Sequence, residues 1–219
     1  MVKKNAESVK TFFDDYASKF YSIYKEEQKG FLVRFLDRTL RYSMFKRFEK
    51  VALIINESNS KSILDVGCGP GYHDLLLARS QDVEVTGIDV ASNMIDIAKS
   101  HISSRNLENR LNFITSDIFD HKFEKKYDTV FAVGVVEYFE NPSKLIGIMK
   151  ELSTKRVIFS IPVKYHWLTL QRIIRYKIRK CPLWFYTKKE INIMLTDNKI
   201  NNFKIHKMDR DYLVEIIIT

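Results

Sequence analysis

From Ser62 onward the apolar positions fall into short runs separated by helix-length amphipathic stretches. Ser62-Ile63-Leu64-Asp65-Val66 is short and apolar enough for a central strand. Val83 to Ile88 predicts a second strand ending at Asp89, Leu111 to Thr115 a third, Tyr127 to Val133 a fourth, and Arg156 to Ile161 a fifth stopped by Pro162. Helices are expected between them, over 73–80, 92–104 and from Asn141-Pro142 to Leu152, the last with Asn as cap and Pro at its first position. Strands separated by helices imply right-handed βαβ units and a parallel α/β sheet. Two closing runs, Asn202 to Met208 and Tyr212 to Ile218, have no helix between them and predict an antiparallel hairpin around Asp209-Arg210-Asp211.

The flanks follow a helical period. Phe12, Tyr16, Phe20 and Tyr24 share one helical face, with Phe13 and Tyr21 beside it. This predicts an amphipathic helix packed on the domain, a lid whose tyrosines can line an acceptor pocket. Residues 31–56 predict one or two further helices with a basic outer face. After Pro162 the pattern changes: Lys164 to Lys180 interleaves six Lys/Arg with Trp167, Leu168, Leu170, Ile173, Ile174, Tyr176 and Ile178. Thr187 and Glu190 then have capping-box spacing before a last helix. We read residues 1–219 as one domain: a helical cap over 1–56, a ligand-binding core over 62–161, a basic insertion over 162–186, and a final helix with hairpin over 187–219.

Charge adds an asymmetry to this division. The net charge of +9 is split as +5 over residues 1–62, −5 over 63–154 and +9 over 155–219. Basic ends suit an anionic acceptor, a membrane surface reached through 164–180, nucleic acid, or a solvated surface. Two cysteines, Cys68 and Cys181, make neither a disulfide framework nor a metal site. No apolar run approaches the ~18 residues that span a bilayer, and the first 24 residues are polar throughout. A cytoplasmic protein is expected, with peripheral membrane contact left open.

The candidate chemistry collects beyond the strand ends, where open parallel sheets bind ligands. Gly67, Gly69 and Gly71 follow the first strand in a turn that lets a ligand approach the backbone. Asp89 ends the second strand, where a carboxylate accepts from ribose hydroxyls. Asp117 follows the third, placed to accept from an adenine amino group. The ligand is therefore an adenosine derivative. Dinucleotide sites want a third glycine where Tyr72 stands. Pro70 removes a phosphate-binding donor, and Asp65 at the mouth of the turn tolerates an ammonium and a sulfonium better than a pyrophosphate. These features favour S-adenosylmethionine.

Asp65-Val66-Gly67-Cys68-Gly69-Pro70-Gly71, Gly87-Ile88-Asp89, Ser116-Asp117, and Tyr127-Asp128-Thr129-Val130 with Gly134-Val135-Val136-Glu137-Tyr138-Phe139 resemble the class I S-adenosylmethionine-dependent methyltransferases. Phe12 to Tyr16 and Cys181 to Tyr186 are similar to small-molecule O-methyltransferases of the magnesium-protoporphyrin, ubiquinone and polysaccharide-cluster kinds. The resemblance implies a Rossmann-like seven-stranded sheet of order 3-2-1-4-5-7-6 with its last strand antiparallel and helices on both faces. It places Asp65 and Gly67 by the methionine part, Cys68 in the cofactor-binding turn, and Gly69 and Gly71 where backbone approaches closely. Asp89 takes the ribose hydroxyls, Val90 and Met94 sandwich the adenine, Asp117 takes its amino group, and Ile118 packs beside it. Ala132, Val133 and Gly134 face the sulfonium. Asp128 is structural.

The acceptor is less legible. A small molecule, sugar or lipid-linked glycan ranks ahead of RNA or protein, whose dedicated motifs are absent, and a cofactor-binding protein without turnover is the third possibility. His166, Glu137, Tyr16 and Tyr138 are candidate bases for a hydroxyl acceptor; a carboxylate acceptor needs none. No metal site is expected.

Overall fold

The structure, a computed structural model, describes residues 9–14, 45–103, 107–164, 173, 176–177 and 181–218. The candidate bases Tyr16 and His166, and most of the basic stretch 164–180, lie outside the described residues. Seven strands form one sheet: β1 (Ser62–Val66), β2 (Glu84–Asp89), β3 (Leu111–Thr115), β4 (Tyr127–Ala132), β5 (Ser153–Pro162), β6 (Phe203–Lys207) and β7 (Asp211–Ile217). Their order is β3-β2-β1-β4-β5-β7-β6, the expected one. β1 to β5 run parallel, while β7 is antiparallel to both β5 and β6. Strand order reverses at β1, which lies between β2 and β4, so the crevice opens beyond the C-terminal ends of β1 and β4.

Alternation along the strands assigns side chains to two cores. Leu64, Val130, Ala132, Val157 and Phe159 face one side, under α4 (Ser143–Leu152) and α5 (Lys188–Asp197). Ile63, Val85, Phe113, Phe131 and Ile158 face the other. There they meet α1 (residues 45–57), α2 (Tyr72–Ser80) and α3 (Ser92–Ser103). The helix starts follow local chemistry. Pro142, not Asn141, is the cap of α4 and supplies its first carbonyl to Ile146, so the helix starts one residue later than expected, while Asn141 Oδ1 accepts from the Ser143 N–H at 3.0 Å. The capping box of α5 is complete: Glu190 N–H donates to Thr187 Oγ1, and Thr187 N–H to Glu190 Oε2.

β5 departs from expectation at both ends. It starts at Ser153, three residues early, because Ser153 Oγ satisfies the rim by bonding the carbonyls of Asp128 and Arg156. It also keeps Pro162, which pairs with Asp211 and accepts from the Tyr186 N–H at 3.4 Å, a position needing no proline donor. Asp211, where β7 begins, makes a buried ion pair with Arg47 of α1 at 3.2 Å. Asp128 is structural as expected. Its carboxylate accepts from the Lys61 N–H at 2.7 Å at the sheet edge opposite the crevice.

Candidate active site

Gly67, Gly69 and Gly71 all have left-handed backbone, at φ 73°, 54° and 70°. They differ in what surrounds them. A Cβ on Gly67 would lie 2.4 Å from Val135 Cγ2, and one on Gly71 2.5 Å from Phe113 Cζ, whereas one on Gly69 meets nothing within 4 Å. Gly71 is thus filled from beneath by the β3 aromatic, and the open approach to backbone expected at both positions belongs to Gly69. Gly67→Ala is expected to lower stability by about 1–3 kcal/mol in chemical denaturation. Gly69→Ala should lower cofactor affinity more than it lowers stability, because its new methyl projects into open space.

The turn is tied to its neighbours by Asp89. Its Oδ2 accepts from the Gly69 N–H and its Oδ1 from the Ala91 N–H, both at 2.9 Å. Burial holds this carboxyl above the usual range despite those two donors. The turn's own N–H groups at Gly67 and Cys68 both go to the Ile88 carbonyl. Cys68, expected among the cofactor-binding residues, has its side chain buried in the core, so only its backbone can border the crevice. Burial, with the charges of Asp74, Asp89 and Asp65, pushes its thiol up.

Asp65 also departs from expectation. Strand alternation turns it to the same face as Ile63, beneath the turn rather than at its mouth, and it is 2% exposed. Asp74, in the first turn of α2, meets it there. Asp74 belongs to none of the sequence motifs; its one local signal is a carboxylate in the first turn of the helix that follows the glycine turn.

The remaining predicted residues gather along the same edge. Asp117 Oδ1 accepts from the Phe119 N–H at 3.0 Å, which shapes its loop. Ile118 is buried, and Val90 is partly exposed beside buried Ala91. Met94 is 2% exposed because Phe13, from the helical segment 9–14, packs over Met94 and Ala91. Asp14 fastens that segment to the start of α3 by accepting from the Asn93 N–H at 3.1 Å. Ala132 is buried and Val133 partly so. Gly134, at φ 76°, donates its N–H to buried Ser160 Oγ at 2.8 Å, a residue the motifs did not point to.

Glu137 lies in the single turn Val136–Tyr138, 1% exposed, with Oε1 3.9 Å from where a Cβ on Gly134 would sit. The segment after the basic stretch wraps this turn. Trp184 N–H donates to the Glu137 carbonyl, and Tyr186 O–H lies within bonding distance of the Phe139 and Glu140 carbonyls. Burial, then the charge of Glu137, pushes the Cys181 thiol up to about 12. Phe13 meets the Tyr138 ring edge-on at 5.4 Å, and Tyr138 O–H donates to Tyr176 Oη at 3.4 Å. The loops after β2 and β4 therefore meet beneath segment 9–14.

A sheet of this order, with this turn after β1 and an acidic residue ending β2, agrees with what related sequences show. Residues 57–180 match a family described as a methyltransferase domain. The chain belongs to that family. This methyltransferase domain is 30% identical over 134 residues to a ubiquinone biosynthesis O-methyltransferase of Rickettsia bellii, covering 61% of this chain and 53% of the relative. It is 36% identical over 100 residues to a malonyl-(acyl-carrier protein) O-methyltransferase of Acetivibrio thermocellus, covering 44% of this chain and 34% of the relative. The chain thus spans only a third to about half the length of these relatives. Among solved structures, magnesium protoporphyrin IX methyltransferase from Synechocystis PCC 6803, with bound S-adenosylhomocysteine, superposes with a TM-score of 0.78 at 21% identity. That match covers 98% of this chain and 100% of the other, and it shows a shared fold.

The domain's cofactor is S-adenosylmethionine, and the residues present fit it. Open space lies over Gly69, and Asp89 at the end of β2 and Asp117 in the loop after β3 offer carboxylate acceptors. Among the described residues no cluster of His, Cys, Asp and Glu could hold a metal ion, and no helix is long and apolar enough to cross a membrane.

Proposed function

We propose that the domain transfers a methyl group to an oxygen of a small-molecule acceptor, with Glu137 as base when that oxygen is a hydroxyl. The observation that carries this reading is the buried Glu137 carboxylate beside Gly134, enclosed by Tyr138, Cys181 and Trp184 on the side of the sheet edge away from Asp89. The bound cofactor supplies a methyl carbon activated by positive sulfur. The chain supplies alignment, worth up to ~7–11 kcal/mol in favourable cases, and a proton acceptor. In this reading Asp89 and Asp117 orient the adenosine, the loop from Gly134 to Tyr138 carries the acceptor side, and Phe13 excludes water from above. The oxygen specificity of the two curated relatives supports the choice of acceptor atom.

The test is methyl transfer from labelled cofactor to separate pools of phenols, carboxylic acids, sugars, lipid-linked glycans, RNA and protein. Label is expected in a small-molecule pool; incorporation only into RNA or protein would overturn the reading. Base-stable label marks a hydroxyl acceptor, and base-labile label a carboxylate. With a hydroxyl acceptor, Glu137→Gln should lower kcat by about 10²–10⁴ while S-adenosylhomocysteine affinity stays within a few-fold. Unchanged turnover would remove Glu137 from the base role.

A further inference from the structure

Beneath the glycine turn lies an acidic cluster that orienting the adenosine does not require. Asp74 is fully buried, and among the described residues no N–H or O–H donor of another side chain reaches its carboxylate apart from the Asp65 carboxyl. What it faces is a second carboxyl, Asp65, itself 2% exposed. Two buried carboxylates in contact cannot both stay ionised without a cation or a proton between them.

Among the described residues, no cationic group acts on this pair. Asp65 comes from β1, Cys68 from the turn and Asp89 from the end of β2, with Asp14 of segment 9–14 acting on Asp89. His73, the residue before Asp74, is stacked on Phe48 at 4.4 Å and lowered to about 4, so it is neutral near pH 7. Its lowering comes from burial first and then from the charge of Arg47, which is already paired with Asp211.

We propose that Asp65 and Asp74 hold a shared proton beneath the glycine turn, and that a cationic group settling over the turn drives a proton off the pair. The inference rests on the donor site described above, whose ligand carries an α-ammonium and, before transfer, a sulfonium. Binding is then coupled to proton release, and affinity for the cationic ligand rises with pH. The direction follows from the acids. Burial pushes Asp74 up to about 7 and Asp65 well above the carboxylate range. A nearby positive charge favours the ionised pair, so the proton leaves as the ligand binds. The pair titrates as a unit, and the release belongs to both residues.

The experiment is calorimetric titration of the full chain with S-adenosylhomocysteine at pH 6, 7 and 8, in buffers of different ionisation enthalpy. The slope of apparent enthalpy against buffer enthalpy counts the protons exchanged. About half a proton released per ligand at pH 7, and about tenfold tighter binding at pH 8 than at pH 6, are expected for a site titrating near 7. Methylthioadenosine, which lacks the ammonium, should bind without that release. Asp74→Asn, which keeps the shape, should bind S-adenosylhomocysteine with the release gone and affinity flat between pH 6 and 8; Asp74→Ser repeats the test with a smaller side chain. Wild-type binding without proton exchange, equal release with methylthioadenosine, or full release in both Asp74 variants would each overturn the proposal. Absence of any S-adenosylhomocysteine binding from pH 6 to 8 would instead overturn the donor site on which it rests.

Discussion

Asp89→Ala is expected to abolish measurable binding of S-adenosylhomocysteine while the domain still folds. The carboxylate has two tasks that its position at the end of β2 combines. It accepts from the Gly69 and Ala91 N–H groups, joining the glycine turn to the loop that carries Val90, and in the proposed reading it also takes the ribose hydroxyls. Hydrogen bonds to a charged group are worth about 1.5–3 kcal/mol each. Losing two ribose bonds therefore costs at least about 100-fold in affinity, before the loosened turn adds to it. In the wild type, ligand at 100 times its dissociation constant adds about 2.7 kcal/mol, which for a domain of this size raises Tm by about 5–10 °C. The same concentration should leave the Tm of Asp89→Ala unmoved. An affinity equal to that of the wild type would remove Asp89 from the ribose role.

The largest stability effect is expected at Arg47 and Asp211. The pair joins α1 to the start of β7 at 3.2 Å, with both side chains more than nine-tenths buried. Removing Asp211 takes away the carboxylate paired with the buried Arg47 guanidinium, which costs about 3–5 kcal/mol. Asp211→Ala should therefore lower Tm by about 10 °C. Replacing both, as Arg47→Met with Asp211→Leu, should recover most of that loss, since apolar groups of similar volume often match a buried ion pair. Urea denaturation of the two single variants and the double variant closes the cycle. If the double variant loses as much as the two singles combined, the pair is not coupled and the contact is incidental.

The two predictions differ in how far the sequence pointed to them. Asp89 was legible because a strand ending in Gly-Ile-Asp, 18 residues beyond Gly71, puts a carboxylate on the ligand edge whatever the details of packing. The Arg47–Asp211 pair was not, because its members are separated by most of the chain. Arg47 read as one of several arginines on an exposed helical face; a helix period cannot tell which flank of that face the closing hairpin will cover. Glu137 was legible as a candidate and Trp184 as part of the separate stretch Cys181 to Tyr186, but only the fold brings the Trp184 N–H to the Glu137 carbonyl.

The acidic pair marks the same boundary inside a single motif. Asp65 read as an acid at the mouth of the turn. Period-two alternation along β1 turns it under the turn, and the first turn of α2 brings Asp74 against it. Local periodicity and turn chemistry thus determined the strands and helices of the core, the glycine turn and the placing of Asp89 and Asp117 after their strands, since each depends on residues within one βα unit. The tertiary structure decided which glycine stays open, which carboxyls are buried together, and where segment 9–14 rests on Met94 and Tyr138. Those outcomes depend on side chains from distant segments competing for the same space, and no local pattern encodes that competition.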